Sequence, residues 1–308
     1  MDWDKIIKSF RNYLLLEKAL SINSIEAYLR DVEKLHVFLL MIKKKDVSIN
    51  SVDLELLWDF VEWANKLGMT ERSQARMISG IRAFFKFLMI ENYIETNPSL
   101  LLELPKLGSK LPVVLSINEI DLIVTGIDLS KADGHRNKAI IETLYGCGLR
   151  VSELINLKIS NLYFSENYIR IVGKGDKERL VPIGKTAKKE IRNYFSASRN
   201  NIEIAKGQQD FVFLNRRGKK LSRVMIFNIV KDLAEKAELK KNVSPHTFRH
   251  SFATHLVEGG ANLRAVQDML GHESILTTEI YTHLDRTYLQ EIMMEYHPRS
   301  KKNINKKR

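Results

Sequence analysis

Residues 244–285 read SPHTFRHSFATHLVEGGANLRAVQDMLGHESILTTEIYTHLD, and the chain is best understood outward from them. Ser244-Pro245 opens a helix: Ser is a favoured N-cap, and Pro at the first helical position gives up only an N–H that has no partner there. His246 and Arg249 stand three residues apart, so they share a face of that helix. Gly259-Gly260 stops it. Asn262 to Leu270 reads as a second, short helix, after which Gly271 turns the chain and leaves His272 just beyond. Tyr281 follows nine residues later, in a segment rich in Thr and Ile. Singly these residues say little, since a lone histidine on a helix is most often structural. Together they suit one chemistry: a tyrosine hydroxyl attacking a phosphodiester held by Arg and His.

Upstream, Ser116 and Glu119 have capping-box spacing. Gly134 to Tyr145 reads as a helix. In the following YGCGLRVSEL, Gly146 and Gly148 bracket a tight passage and Arg150 begins the next helix. Tyr168–Val172 and Arg179–Ile183 read as strands joined by Gly-Lys-Gly-Asp-Lys-Glu, which carries Lys174 between two glycines on a β-turn. Phe211–Leu214 is expected as a short strand and Ser222–Ala237 as a helix. This half of the chain is therefore mostly helical with a small antiparallel sheet.

The first hundred residues read as all-helical. A helix from about Asp4 to Ala19 comes first. Asn23 and Glu26 resemble a capping box, and Ile25, Tyr28, Leu29, Val32, Leu35 and Leu39 follow at helical spacing. A third helix spans about Asp53–Leu67. A fourth begins near Thr70 and turns Met77, Ile78, Ile81, Phe85 and Leu88 inward. Arg72, Arg76, Arg82 and Lys86 lie along it, either as a solvated face or as a helix laid against DNA backbone. Asn97-Pro98 breaks the pattern, and PKLGSKLP (105–112) has little to bury and reads as a linker. The expected organisation is a four-helix N-terminal domain, 1–104, the linker, a second domain, 113–298, and a basic tail, 299–308.

At 308 residues there is room for two cores. No apolar run approaches the roughly 18 residues of a membrane helix, and MDWDKIIKSF carries acids where a secretion signal would be basic. The single cysteine, Cys147, excludes an internal disulfide and a cysteine-rich zinc site; both points fit a reducing cytoplasm. Net charge is +12, unevenly spread. Residues 1–105 hold 14 Lys and Arg against 15 Asp and Glu, residues 106–298 hold 29 against 22, and residues 299–308 hold 6 against none. A basic second region suits a polyanion such as DNA, although half of the excess is the tail.

H-x-x-R-H, then L-G-H, then a tyrosine nine residues on, resembles the C-terminal box of the tyrosine recombinases, the phage-integrase family. YGCGLRVSEL, GKGDKER, HTFRHSFATHL, MLGHESILTTEIYTHLD and the terminal YHPRS resemble the bacterial Xer-type branch. SINSIEAYLRD, SGIRAFFKFL and NPSLLLELPK resemble its core-binding domain, so the likeness covers about residues 5–299. The implied fold is an N-terminal four-helix, SAM-like core-binding domain followed by a mostly helical catalytic domain.

Cleaving DNA without metal needs a nucleophile, stabilisation of the phosphorane-like transition state, and proton donors and acceptors. Tyr281 is the candidate nucleophile; its ordinary pKa of about 10 calls for cationic neighbours or a base. Arg150 and Arg249 are the candidate clamp, because a guanidinium matches two phosphate oxygens and stays charged. Lys174 is the candidate general acid for the 5′-oxygen leaving group, His246 an acid/base or phosphate donor, and His272 a further donor. Glu153, one turn after Arg150, is read as orienting it. His250 and His255 are read as structural, and Cys147 as packing. Matching positions in the resembling family have these six roles, through a 3′-phosphotyrosyl intermediate that needs no cofactor, metal or ATP.

The resemblance further implies double-stranded DNA as partner and a homo- or hetero-tetramer with a paired Xer-type recombinase. It also implies a septal DNA translocase as activator, and chromosome dimer resolution before division. Residues Asp285–Tyr296 would form a helix that docks on a neighbouring protomer. Two other readings share the pattern. One is an integrase of a mobile element, for which Met1 to Phe10 would leave no room for an arm-binding domain, or a type IB topoisomerase-like enzyme. The other is a catalytically silent DNA-binding protein, which would be expected to lack at least one of the six polar residues.

Overall fold

The computed structural model describes residues 2–43, 47–105, 108, 112–173, 178–271 and 283–300. The chain divides into two compact units, Met1–Lys110 and Leu111–Arg308. The expected linker, 105–112, lies largely outside the described residues, as does the tail beyond Ser300.

The first unit is built of α1 (Trp3–Leu16), α2 (Ile22–Lys43), α3 (Leu54–Lys66) and α4 (Glu71–Ile90). Asp53 and Thr70 cap the last two by accepting from Leu56 N and Ser73 N. The inward faces meet in an aromatic core of Trp3, Phe10, Phe38, Phe60, Phe84, Phe85 and Phe87, all essentially without solvent exposure. Two boundaries differ from the sequence reading. The first helix ends at Leu16 rather than Ala19, which takes a φ of +46°. The second begins before Asn23, because Ser21 Oγ accepts from Ser24 N one turn earlier.

The second unit runs α5 (Ile117–Thr125), α6 (Gly134–Cys147), α7 (Val151–Ile155), β1 (Leu162–Tyr163), β2 (Tyr168–Val172), β3 (Glu178–Pro182), α8 (Lys185–Ala197), α9 (Arg223–Lys236), α10 (Pro245–Glu258), α11 (Leu263–Leu270) and α12 (His283–Tyr296). The capping box of Ser116 and Glu119 is formed at the head of α5. From Ala139 onward helix α6 is buried around its whole circumference, with Ile140, Ile141, Leu144, Tyr145 and Cys147 at zero exposure; it is the axis of this unit. The sheet is antiparallel in the order β1-β2-β3, with Arg170 opposite Leu180 and Val172 opposite Glu178.

Phe211–Leu214 is not a strand. It makes only isolated bridges, Lys158 to Phe211 and Leu214 to Lys220. The buried Arg199 guanidinium takes the carbonyls of Gln209, Phe211 and Val212, which a ladder would need.

Helix α12 buries Leu289, Ile292 and Met293 in the core of its own unit. Beyond it the chain is tied to α6. His297 is fully buried between the rings of Tyr145 and Phe252, at 4.9 and 5.3 Å. Arg299 donates to Glu142 Oε2 at 3.0 Å and to Asp121 Oδ1 at 2.5 Å. Burial pushes His297 down to about 3, so it is neutral at every ordinary pH. Among the described residues, no helix is long and apolar enough to cross a membrane.

Candidate active site

The site begins where α6 ends. Gly148 closes that helix in the left-handed region, φ +59°, and a Cβ there would stand 2.5 Å from Phe252 Cδ1. Two residues on, Arg150 takes extended backbone as the N-cap of α7, and its own N–H donates to Glu153 Oε2 at 2.8 Å. The Arg150 guanidinium donates to Glu153 Oε1 at 2.9 Å and to Gly271 O at 3.1 Å. The Glu153 side chain is only 3% exposed, whereas that of Arg150 is 37% exposed.

Arg249 arrives from α10 and is buried. It donates to Gly148 O at 2.7 Å and to Leu270 O at 2.6 Å, and its Nη1 lies 3.9 Å from Glu153 Oε2. Arg150 and Arg249 are thus brought together on one carboxylate and on adjacent carbonyls at the end of α11. Burial, and then the charge of Arg150, push Arg249 down to about 10. It remains a cation at neutral pH.

The sequence reading gave no role to the third member, Arg179 on β3, having taken it only as the start of a strand. It is buried and forms a two-pronged pair with Glu153, at 2.8 and 2.9 Å, while its Nε donates to Met269 O at 3.1 Å. Burial alone would raise the Glu153 carboxyl. The hydrogen bonds and charge of Arg179, followed by those of Arg150, outweigh it and hold the group below the usual range. A signal for Arg179 was present: a charged side chain at an inward position of an otherwise apolar strand needs a buried partner.

His246 stands exposed at the first turn of α10, so the i,i+3 spacing does not carry it inward with Arg249. His250 is also exposed rather than packed. His255 is structural as expected: it is buried, with Nδ1 2.9 Å from Tyr145 Oη. Cys147 is fully buried, and burial pushes its thiol up to about 12, which fits packing rather than reactivity. Glu153 holds Arg150, as the sequence suggested. Lys174, His272 and Tyr281 lie outside the described residues. On α4, Arg76 pairs with Asp31 and Arg82 donates to Leu102 O, while Arg72 and Lys86 are exposed.

Residues 114–287 match the phage integrase family, and residues 7–92 match the phage integrase N-terminal SAM-like domain. The chain is 39% identical over 297 residues to the tyrosine recombinase XerD of Listeria monocytogenes, which spans 96% of this chain and 99% of that protein. It is 40% identical over 297 residues to XerD of Staphylococcus saprophyticus, covering 96% of this chain and all of that one (100%). Among solved structures, the fold is similar to the XerH site-specific recombinase bound to palindromic difH substrate in a post-cleavage complex. That match has 24% identity and a TM-score of 0.68, over 94% of this chain and 83% of that one. A lambda integrase dimer bound to a core site matches at 14% identity and a TM-score of 0.70, over 89% of this chain and 96% of that one. The chain belongs to the phage integrase family of tyrosine recombinases, enzymes that cut and rejoin DNA.

Proposed function

We propose that this chain resolves chromosome dimers before cell division, by site-specific strand exchange at a chromosomal terminus site in the cytoplasm. The observation that carries the reading is the meeting of the Arg150 and Arg249 guanidinia beside Glu153, with the Arg150 side chain still 37% exposed. Two fixed cations beside a half-open face suit a scissile phosphate, whose charge grows as the nucleophile attacks. The basic balance of residues 106–298 supports DNA as the substrate. Identity of 39–40% to XerD proteins over nearly the full length supports the chromosomal role.

In the mechanism, Tyr281 Oη gives its proton to His246 and attacks the phosphorus, and the P–O5′ bond breaks as the 5′-oxygen leaves with a proton from Lys174. Arg150 and Arg249 neutralise the non-bridging oxygens, with His246 and His272 as further donors. The product is a 3′-phosphotyrosyl bond and a 5′-hydroxyl. A 5′-hydroxyl from the partner duplex then attacks that bond, releasing Tyr281, so the bond energy is conserved and ATP is not consumed. Four protomers act on two duplexes, paired with a second Xer-type recombinase and switched on by a septal DNA translocase. Asp285–Tyr296, whose Leu289, Ile292 and Met293 stay in the core of its own unit, docks on a neighbouring protomer through its exposed residues, Tyr288 and Met294 among them.

Covalent trapping tests this. The protein, with a paired recombinase supplied, is mixed with a nicked, labelled duplex bearing the host terminus site, without added metal. A denaturation-resistant adduct is expected from the wild type and none from Tyr281→Phe. A wild type that binds the duplex yet leaves no adduct would sink the catalytic reading. An adduct that persists in Tyr281→Phe would reassign the nucleophile.

A further inference from the structure

Three guanidinia take three consecutive carbonyls where α11 ends: Arg179 donates to Met269 O, Arg249 to Leu270 O and Arg150 to Gly271 O, at 3.1, 2.6 and 3.1 Å. The last carbonyls of a helix lack intrahelical partners and form the negative end of its dipole, so cations are favoured there. The same arginines converge on Glu153. A carboxylate has about four lone-pair sites, and those of Glu153 are filled. Oε1 accepts from Arg179 and from the Arg150 guanidinium, and Oε2 accepts from Arg179 and from the Arg150 backbone N–H.

Removing Arg179 would reopen half of that carboxylate, whose side chain is only 3% exposed. Among the described residues, the cations left beside it are Arg150 at 2.9 Å and Arg249 at 3.9 Å. Glu153 would then engage more of the Arg150 guanidinium, taking donors that a phosphate needs. We propose that Arg179 is a positioning residue for strand cleavage: it saturates Glu153 and pins the end of α11, and so keeps the outward donors of Arg150 available to the scissile phosphate. This rests on the recombinase reading above.

The test uses the full chain and the nicked duplex, with DNA affinity by gel shift, folding by thermal melt and single-turnover adduct formation read in parallel. Arg179→Met is expected to bind DNA as the wild type does and to form adduct about 100-fold more slowly, the scale of losing one donor from a transition-state clamp. Adding Glu153→Gln to that variant removes the competing carboxylate charge. The double variant is expected to recover about tenfold, a coupling typical of residues in one network. Were Arg179 merely structural, the second substitution would only deepen the loss, and a double variant no faster than Arg179→Met overturns the proposal. If Arg179→Met melts below the assay temperature, Arg179→Lys carries the test. It keeps the charge but not the two-pronged pair, and is expected to fold and cleave about tenfold slower; wild-type cleavage by a folded Arg179→Lys overturns the proposal. A wild type without adduct overturns the recombinase reading and this proposal together, whereas a wild-type adduct matched by the Arg179 variants overturns the positioning role alone.

Discussion

Asp31 in the first compact unit and Glu153 in the second are both carboxylates buried against arginine, and the two obey opposite charge rules. In the first unit Asp31, fully buried on α2, is gripped by Arg76 of α4 at 2.5 and 2.7 Å: one negative charge, one positive. In the second unit Glu153 meets Arg150, Arg179 and Arg249, so the cluster carries two positive charges more than it neutralises. Each guanidinium taken out of water costs free energy that a single partner barely repays. Two beyond need are hard to explain as structure. Carbonyls of α11 satisfy part of the surplus, and an anion between the arginines would satisfy the rest. On the proposed function, the closed pair belongs to the fold and the open cluster takes the phosphate.

The comparison breaks most readily at its two half-exposed arginines. Arg150→Ala is expected to slow single-turnover cleavage by about 10²–10³-fold, the cost of a lost transition-state donor, with little change in melting temperature. Arg76→Ala should do the reverse. It leaves Asp31 buried and uncompensated, at about 3 kcal/mol of stability, read as a lower midpoint in denaturant. If Arg150→Ala instead loses mainly stability, the open cluster is structural after all.

A smaller effect is expected at the backbone that carries the arginines. Gly148 and Gly271 both have positive φ, +59° and +64°, and each presents a carbonyl to a clamp residue. Alanine in that region costs about 1–2 kcal/mol. At Gly148 the new methyl also meets the Phe252 ring at 2.5 Å, whereas at Gly271 it meets the Arg179 side chain at 3.0 Å. Gly148→Ala should therefore destabilise more in a thermal melt, while Gly271→Ala, which presses on the arginine cluster, should lose more cleavage than stability. Equal losses at both would mean that Arg179 simply moves aside.

How far the sequence spoke depended on the range of the interaction. Helices were legible because capping and apolar spacing are local: Thr70 and Ser116 cap where their neighbours say they should, and Ser244 takes the N-cap position with its own N–H donating to Thr247 Oγ1. Phe211–Leu214 was misread because its carbonyls go to Arg199, ten or more residues away in sequence, and no local pattern encodes that. The site divides in the same way. Arg150 and Arg249 were marked by their motifs, and Glu153 by lying one turn from Arg150. Arg179 escaped because its partners are 26 and 90 residues distant. The helical spacing of His246 and Arg249 was right about the helix and silent about depth: Arg249 has the reach to bond across to Gly148 and Leu270, and His246 stays in solvent.

The smallest expected effect is also the most direct measure of open against closed. Burial raises the Asp31 carboxyl, and Arg76, itself 45% exposed and screened by water, does not overcome it; the group sits above its ordinary 3.8. Glu153 is raised by burial too, but Arg179 and Arg150 bring it below its ordinary 4.5. Acid should therefore act on the two in opposite senses. The folded state holds the Asp31 proton more tightly than the unfolded chain, so wild-type stability gains from this group as pH falls through its raised pKa towards 3.8. Glu153 contributes stability that is complete above 4.5 and is lost as pH falls through its lowered pKa. Denaturant melts of wild type, Asp31→Asn and Glu153→Gln from neutral pH into acid separate the two, at less than about 1.4 kcal/mol per pH unit for each group. On acidification the gap between wild type and Asp31→Asn should move in favour of the wild type, and the gap to Glu153→Gln in favour of the variant. Gaps that move the same way would mean that one arginine holds a buried carboxylate as firmly as three. The surplus charge at Glu153 would then have to be explained without reference to the carboxylate.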